Sequence, residues 1–371
     1  MHIPMTDLTM QYAMLKQEID EATQRVIVSG RFILGPEVEA FEKEIAAYCG
    51  VKYAIGLASG TDALTISLMA SGIKLGDEVI TTPFTFIATA EAISHCGAVP
   101  VFVDIDRGTY NIDTSQIEAK ITARTRAIIP VHLFGQPVEM DTILKLSKKY
   151  GITIIEDCAQ ALSAKYMEKR VGSIGDAGCF SFFPSKNLGA CGDGGMIVTS
   201  NTQIFDVARM LRQHGAKSTG YHILPGFNSR LDEIQAAILR VKFKYLDKWS
   251  SLRREAALFY TQLLSGIEGI EVPDIADYKM TSANYYTVRL NDRDVDRNEL
   301  REYLSSKDIE TAVYYPLSLH LQQAYKPLGY KQGDFPESEQ AQKQVLSLPM
   351  FPEISHDQVA EVADRIKEFF T

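Results

Sequence analysis

Short runs of β-branched residues alternate with helix-like patterns between about residues 50 and 200. This alternation indicates crossover connections and predicts a mainly parallel sheet covered by helices on both faces. The predicted strands cover residues 53–57, 78–82, 99–104, 127–132, 153–157, 178–183 and 196–199, and the predicted helices include 62–70, 87–95 and 140–150.

A helix start is predicted at residues 228–233, where Ser229 and Asp232 have the spacing of an acidic variant of the capping box. We expect this helix to run to about Lys248 and to lead out of a large domain. The pattern after it predicts a smaller α+β domain. Its predicted strands lie near residues 285–290 and 311–314, and its predicted helices near 296–305 and 356–370.

The chain has 371 residues, which exceeds a comfortable single core. We therefore predict an α/β protein with a large domain over residues 1–248 and a small C-terminal α+β domain over residues 249–371. Hydrophobic residues make up 46% and charged residues 23% of the chain, as in ordinary globular proteins.

The net charge of -9 argues against non-specific binding to nucleic acid or to an anionic membrane. The acidic N-terminal segment has no apolar signal sequence and no stretch approaches the length of a membrane span, so we expect a cytoplasmic protein. The five cysteines form no C-x-x-C pair and the histidines lack metal-ligand spacing. We therefore expect reduced thiols and no metal site.

Lys186 is the most informative candidate residue, and it lies between the apolar run 178–183 and the glycine cluster 192–195. Partial burial lowers the pKa of an amine and makes it a better nucleophile toward a carbonyl. Lys186 is therefore a candidate Schiff-base lysine for pyridoxal phosphate (PLP). Most isolated lysines instead extend along the surface into water, so this assignment depends on the other candidate residues.

Asp157 ends the apolar predicted strand 153–157, and ligands of open α/β sheets collect at the carboxyl ends of strands. An anion there would favour a protonated pyridine ring, which is the electron sink that PLP supplies when a substrate C–H bond is cleaved. The alternative is a helix cap or a structural ion pair, which is the commoner role of an aspartate at a strand end. Gln160 is a candidate partner for the ring hydroxyl.

Residues 58–64 follow a predicted strand and open a predicted helix. Small residues allow the backbone to approach a phosphate, and a helix N-terminus supplies free N–H groups and a favourable dipole. Gly60 and Thr61 are the candidate contacts, and Ser181 could add a hydroxyl to the same phosphate. The alternative is a plain capped turn.

An aromatic residue follows another predicted strand, within residues 82–89. Phe86 could stack on the pyridine ring, with Phe84 as the alternative, although an aromatic at such a position usually belongs to the core.

Other chemistries have weaker support. The glycine run at 192–195 matches neither a dinucleotide-binding nor an ATP-binding loop, and the chain has no G-x-S-x-G motif.

Together these residues resemble the DegT/DnrJ/EryC1/StrS family of PLP-dependent nucleotide-sugar aminotransferases. The resemblance spans essentially the whole chain, and it is specific because the order and spacing of several motifs agree. The matching segments are residues 35–38, 59–64, 82–86, 156–160, 181–186, 228–237, 315–316 and 348–349.

The resemblance implies PLP-dependent transferase fold type I, which is aspartate aminotransferase-like, and a homodimer with active sites at the subunit boundary. It implies that Asn228 reaches the phosphate of the neighbouring subunit's cofactor and that Arg230 points into that same neighbouring site. A helix-cap role is the alternative for Asn228, and one residue can serve both purposes.

The same resemblance assigns roles within one subunit. Lys186 would bind PLP covalently, Asp157 would meet the pyridinium nitrogen and Gln160 would lie beside the ring hydroxyl. The cofactor phosphate would be held by Gly60, Thr61 and Ser181.

The reaction that the resemblance implies moves an amino group from L-glutamate to a keto-sugar linked to a nucleotide diphosphate. Lys186, displaced from the cofactor by the donor, would then act as general base and acid. The segment 228–233 is more similar to members that aminate C3 of the hexose than to those that aminate C4. Several of those members carry a histidine where this chain has Tyr314, a candidate substrate contact. The resemblance does not decide between dTDP- and UDP-linked sugars.

Two alternatives share the fold. Some relatives are PLP-dependent sugar dehydratases in which a histidine replaces the lysine, and Lys186 argues against this function. A regulatory or ligand-binding member without turnover is the second alternative. The intact lysine, aspartate and phosphate turn make it the weaker hypothesis.

Overall fold

A seven-stranded sheet lies at the centre of the structure, a computed structural model that describes residues 2–291 and 295–371. The strands are β1 Tyr53–Leu57, β2 Glu78–Thr81, β3 Val99–Phe102, β4 Thr125–Ile128, β5 Thr153–Asp157, β6 Lys165–Tyr166, β7 Lys169–Arg170, β8 Ala177–Ser181, β9 Gly195–Thr199, β10 Ala216–Ser218, β11 Tyr221–His222, β12 Ile270–Glu271, β13 Lys279–Met280, β14 Tyr286–Leu290 and β15 Val345–Leu348.

Helices flank the sheet and form most of the C-terminal part. They are α1 Leu8–Ser29, α2 Pro36–Cys49, α3 Gly60–Ala70, α4 Ala88–His95, α5 Met140–Tyr150, α6 Thr202–Leu211, α7 Glu233–Phe243, α8 Leu246–Leu264, α9 Arg297–Ser306, α10 Pro336–Gln344 and α11 His356–Phe370. Short 3-10 helices span Glu118–Lys120, Leu133–Gly135, Leu319–Leu321 and Gln323–Leu328.

The central sheet has the order β1-β9-β8-β5-β4-β2-β3, and only β9 runs antiparallel to its neighbours. Gly195, the first residue of β9, pairs with Leu57 at the end of β1 and with Ser181 at the end of β8. Asp157 at the end of β5 lies beside Cys179 of the parallel strand β8. The carboxyl ends of β1, β5 and β8 therefore meet at one edge of the sheet.

Helices cover both faces of this sheet, because neighbouring residues of a strand point to opposite faces. In β9, Ile197 packs with residues of α3 and α6, whereas Met196 and Val198 pack with residues of α2 and α7. The prediction of a mainly parallel sheet with helices on both faces is confirmed. All seven predicted strands are present, although their ends differ by up to a few residues.

A second core lies between α8, α9, α11 and the three-stranded sheet β12-β14-β15. Ile3, near the N-terminus, belongs to this core, and its backbone exchanges hydrogen bonds of 2.9 Å with Asp308 and Glu310. Helix α8 runs through the predicted domain boundary between residues 248 and 249. The division of the chain at that boundary stays a prediction.

The helix starts within the predicted residues 228–233, but the predicted capping role of Ser229 is wrong. Helix α7 begins at Glu233, and it ends at Phe243 before α8 begins at Leu246, so no single helix reaches Lys248. The Ser229 hydroxyl donates to Asp62 Oδ2 at 2.6 Å and accepts the N–H of Ala58 at 3.2 Å. The serine that resembles a capping residue thus makes a tertiary contact.

The strand predicted at residues 311–314 is also wrong. Ala312 makes only an isolated bridge to Ser347, and β14 pairs with β12 and β15 in the sheet. The sequence pattern missed β15 because α10 passes directly into it at Val345 without a turn residue between them.

Among the described residues, no helix combines the length and the apolar character needed to cross a bilayer.

Candidate active site

The turn between β1 and α3 lies directly against the ends of β8 and β9. A Cβ on Gly60 would lie 2.8 Å from the Cβ of Ser181, and a Cβ on Gly195 would lie 2.2 Å from the carbonyl carbon of Ser59. Both positions therefore require glycine because the backbone approaches so closely. The strand order brings Gly60 and Ser181 together, although they are distant in the sequence.

Helix α3 presents its N-terminus at this turn. The Ser59 hydroxyl caps the helix by accepting the N–H of Asp62 at 3.1 Å. The amides of Gly60 and Thr61 lie in the first turn, where N–H groups have no carbonyl partner within a helix. With the helix dipole and the nearby Ser181 hydroxyl, this surface suits an anionic phosphate group.

Lys186 lies in a tightly folded loop between β8 and β9. Its N–H donates to the carbonyl of Phe183 at 2.9 Å. A Cβ on Gly189 would lie 2.1 Å from the carbonyl oxygen of Pro184, so the loop closes on itself. The Asn187 side chain donates to a carbonyl of the segment before β14 at 2.7 Å. These contacts fix the backbone that carries the lysine.

Lys186 and Asp157 are opposite charges that influence each other. Burial lowers the pKa of the Lys186 amine to about 8, and the charge of Asp157 opposes this decrease. Burial raises the pKa of Asp157, whereas hydrogen bonds from the Ala159 N–H at 3.1 Å and the Thr89 hydroxyl at 2.8 Å oppose the increase. A cationic ring nitrogen near Asp157 would favour its charged form further.

Gln160 is held at both ends of its amide. Its Oε1 accepts the N–H of Phe134 at 2.7 Å, and its Nε2 donates to the hydroxyl of Tyr315 at 2.9 Å. The amide nitrogen carries a second N–H. Gln160 therefore keeps a donor for a ligand hydroxyl while its orientation is fixed.

The two aromatic candidates differ in accessibility. Phe84 is fully buried and packs against Tyr110, with ring centroids 6.2 Å apart. Phe86 is 57% exposed, and its ring lies 6.3 Å from that of Tyr315. Phe86 is therefore the candidate with a ring face open to a ligand.

Three tyrosines from the C-terminal part line the site. The Tyr314 ring lies 4.3 Å from Tyr285 and 5.9 Å from Tyr315, measured between centroids. The Lys186 Nζ atom lies 5.9 Å from the centroid of Tyr285. Sequence reasoning named Tyr314 but missed Tyr285 and Tyr315. The signal was the pair of adjacent tyrosines at 285–286 and again at 314–315.

Asn228 and Arg230 lie at the surface of the chain, where Asn228 is exposed and accepts a hydrogen bond from the Arg230 guanidinium. Between them Ser229 is buried and bonded to Asp62. The backbone that carries these two side chains is thus anchored to the segment that contains the phosphate-suited turn. Their role toward a second subunit stays a prediction.

A buried hydrogen-bonded pair supports the strand end that carries Asp157. Val138 N–H donates to His132 Nδ1 at 3.0 Å, so the proton on His132 Nε2 points to Glu156 Oε2 at 3.0 Å. Potential metal-ligand atoms of His132, Glu156 and Cys158 lie within 4.8 Å of one another. Hydrogen bonds occupy the histidine nitrogens and both Glu156 oxygens, since the carboxylate also accepts backbone N–H groups from Gly172, Ile174 and Gly175.

A mainly parallel sheet with a half-buried lysine after β8 and an aspartate at the end of β5 is the arrangement of a PLP-dependent transferase of fold type I. The chain belongs to the DegT/DnrJ/EryC1/StrS aminotransferase family, whose sequence model matches residues 13–367. Both the fold class and the family predicted from the sequence are confirmed.

Similar proteins cover essentially the whole chain. A pleiotropic regulatory protein of Geobacillus stearothermophilus is 50% identical, covering 100% of this chain and 99% of that protein. A UDP-N-acetyl-3-dehydro-alpha-D-glucosamine 3-aminotransferase of Acidithiobacillus ferrooxidans is 45% identical, covering 98% and 97%. The crystal structure of S. venezuelae DesV in complex with a ketimine intermediate is 42% identical, covers 100% and 98%, and superimposes with a TM-score of 0.96.

The protein is thus an enzyme of the aminotransferase class. The family implies PLP as the cofactor, and the residues present fit that group. The glycine-lined turn at the α3 N-terminus suits its phosphate, Asp157 suits its ring nitrogen, and Lys186 offers an amine whose pKa burial has lowered to about 8.

Proposed function

We propose that this enzyme transfers an amino group from L-glutamate to a keto-sugar linked to a nucleotide diphosphate, with C3 of the sugar as the favoured position. The observation that carries the proposal is the placement of the Lys186 amine beside Asp157 at the sheet edge that also holds the phosphate-suited turn. An amine, an anion and a phosphate cradle are the three groups that PLP requires of a protein.

PLP, when bound, supplies an electron sink for the electrons released by C–H cleavage. Lys186 would hold the cofactor covalently, and once the donor has displaced it, its amine would take the proton from the donor's α-carbon and deliver it to C4′ of the cofactor. A pKa of about 8 suits both tasks, because the amine can gain and lose a proton near neutral pH. Asp157 would keep the pyridine nitrogen protonated, and Gln160 would orient the ring through its hydroxyl.

The substrate class rests on the family and on one similar protein. The A. ferrooxidans relative is named for a UDP-linked 3-dehydro sugar and for amination at C3. The similarity of segment 228–233 to C3-aminating members also favours amination at C3. Tyr314, which packs on Tyr285 at 4.3 Å, is the proposed sugar contact that replaces the histidine of several members.

We also propose a homodimer in which Asn228 and Arg230 complete the site of the neighbouring subunit. Both residues lie at the surface next to an anchored serine, where a second copy could reach them. A cytoplasmic location stays part of the proposal.

A regulatory protein without turnover is the second candidate, because the 50% identical G. stearothermophilus relative bears a regulatory name. Lys186, Asp157 and the glycine-lined turn are all retained, which favours turnover. A dehydratase is disfavoured because a lysine occupies position 186.

The test uses the purified protein with PLP, L-glutamate and a panel of nucleotide-linked keto-sugars, with products identified by mass spectrometry. We expect one sugar to gain an amino group and 2-oxoglutarate to appear in equal amount. A Lys186→Ala variant should form neither product. Wild-type protein that is saturated with PLP and never converts it to the pyridoxamine form, with any amino donor, would refute the proposal.

A further inference from the structure

The ring of Tyr285 faces the amine of Lys186. The Nζ atom lies 5.9 Å from the ring centroid, within the range in which an ammonium group is attracted to an aromatic face. Such a contact is stronger in a desolvated site than in water. Tyr285 lies outside the family motifs and is not among the residues proposed to hold the cofactor.

The position of Tyr285 is fixed by the segment that precedes it. Ser282 accepts a hydrogen bond from the Asn187 side chain at 2.7 Å, and its hydroxyl donates to the carbonyl of Gln160 at 2.9 Å. The N–H of Asn284 donates to the carbonyl of Phe134 at 3.1 Å. This segment thus joins the loop that carries Lys186 to the residue proposed to hold the ring hydroxyl.

Aromatic neighbours fix the orientation of the Tyr285 ring itself. Tyr314 packs on it at 4.3 Å between centroids, and Phe134 meets it edge-on at 6.3 Å. Behind it, Arg253 donates to the carbonyls of Asn284 at 3.4 Å and Met350 at 3.0 Å. The ring has little freedom to turn away from the lysine.

Within residues 2–291 and 295–371, few groups lie where they can support a positive charge on Lys186. From β5 the charged group is Asp157. From the C-terminal part the titratable groups are the hydroxyls of Tyr285, Tyr314 and Tyr315, and burial raises the pKa of Tyr285 and Tyr315, so both remain neutral near pH 7. Since Asp157 is expected to pair with the cofactor ring, the face of Tyr285 is, among the residues that the structure describes, the remaining support for a protonated lysine.

We propose that Tyr285 is a positioning residue for Lys186: its ring face receives the ammonium form of the freed lysine and keeps that amine directed into the site. This inference rests on the proposed function, because Lys186 is freed only when a substrate amine displaces it from the cofactor. The residues around Lys186 would then have a second role, in addition to lowering its pKa. The amine must be held near the substrate carbon after its bond to the cofactor is broken.

The ring, and not the hydroxyl, carries this role. Tyr285→Phe retains the ring, whereas Tyr285→Leu and Tyr285→Met remove it. Loss of the ring removes a contact that favours the charged amine, so the pKa of Lys186 should fall. From the usual strength of such contacts, the fall should be about 0.5–1 pH unit.

The experiment is competitive acetylation of the full-length, cofactor-free protein with acetic anhydride across a pH series. Mass spectrometry of the Lys186 peptide gives the pKa of that amine without any turnover. We expect wild type and Tyr285→Phe to agree, and Tyr285→Leu and Tyr285→Met to shift downward. Tyr278→Leu is the matched control, because Tyr278 faces Lys279 at 5.6 Å outside the site and its loss should leave Lys186 unchanged.

An unchanged pKa in the folded ring-less variants would overturn the inference, as would a shift in Tyr285→Phe equal to that in Tyr285→Leu. If Tyr285→Leu does not fold, Tyr285→Met supplies the comparison. Because the readout needs no substrate, failure of the aminotransferase proposal appears separately, as absent turnover in wild type. In the active enzyme, the acid limb of the kcat profile should move to lower pH in the ring-less variants only.

Discussion

Gly60 packs against Ser181 so closely that a Cβ on the glycine would lie 2.8 Å from the serine Cβ. The contact arises because β1 and β8 flank β9, which places the turn after one strand against the end of the other. The phosphate-suited surface is therefore built from two distant parts of the chain. The shape of this surface depends on Gly60 having no Cβ.

Gly60→Ala tests this dependence. The added methyl must displace Ser181 or the first turn of α3, and overpacking of this kind costs about 1–3 kcal/mol. We expect the affinity for PLP, measured by fluorescence titration, to fall by about tenfold or more. Gly108→Ala is the matched control, since its Cβ would meet only Asp106 Oδ1 at 3.7 Å. Equal PLP affinity in both variants would contradict the assignment of this turn.

Asp157→Asn separates stability from function. Burial raises the pKa of Asp157 in the cofactor-free protein, which means that the fold disfavours its negative charge. The neutral asparagine should therefore make the cofactor-free protein more stable at pH 7, as measured by urea denaturation. Activity should nevertheless fall by about a hundredfold or more, because the anion that supports the ring nitrogen is lost. Asp157→Glu keeps the charge and should retain more activity than Asp157→Asn.

The sequence predicted the parts of the site that carry local signals. Lys186, Asp157 and Gly60 stand at strand ends or in a glycine-containing turn, and the order of strands brings such positions together. Tyr285 and Tyr315 were missed because a tyrosine in a short strand or loop has the same appearance in the core and in a site. Ser229 was misread because the spacing of a capping box also serves a tertiary contact with Asp62.

Lys186→Met should change the pH dependence of stability in the cofactor-free protein. The folded-state pKa is about 8 and the reference value is 10.5, so between these values the unfolded chain binds more protons and wild-type stability rises with pH. The variant lacks this rise. It should be more stable than wild type below pH 8, by up to about 3 kcal/mol, and lose that advantage above pH 10.5. Urea melts across this range give the comparison.

The control for this series is Lys148→Met, which replaces an exposed lysine of α5. Its stability should differ from that of wild type by less than about 0.5 kcal/mol at every pH. Parallel curves for wild type and Lys186→Met would mean that the lysine is well solvated in the folded chain.

Glu156→Gln should destabilise the fold without touching a ligand. The carboxylate accepts hydrogen bonds from His132 and three backbone N–H groups. In the variant, the amide NH2 group would replace one accepting oxygen, so donors would face donors. The loss should be about 2–4 kcal/mol in denaturant unfolding. Glu118→Gln breaks an exposed ion pair with Lys149 and should cost less than about 1 kcal/mol. Similar losses in the two variants would show that Glu156 does not support the strand end.

Mixed dimers test whether two subunits share each site. Lys186→Ala and Arg230→Ala chains should each be inactive alone, because each homodimer lacks one component of both sites. In an equilibrated equal mixture, half of the dimers would be mixed, and one of their two sites would contain both residues. We therefore expect about a quarter of wild-type activity to return on mixing. Native mass spectrometry with a tagged chain measures the fraction of mixed dimers, so a failure to exchange is recognised. Mixed dimers that form fully and remain inactive would show that Arg230 serves the site of its own chain.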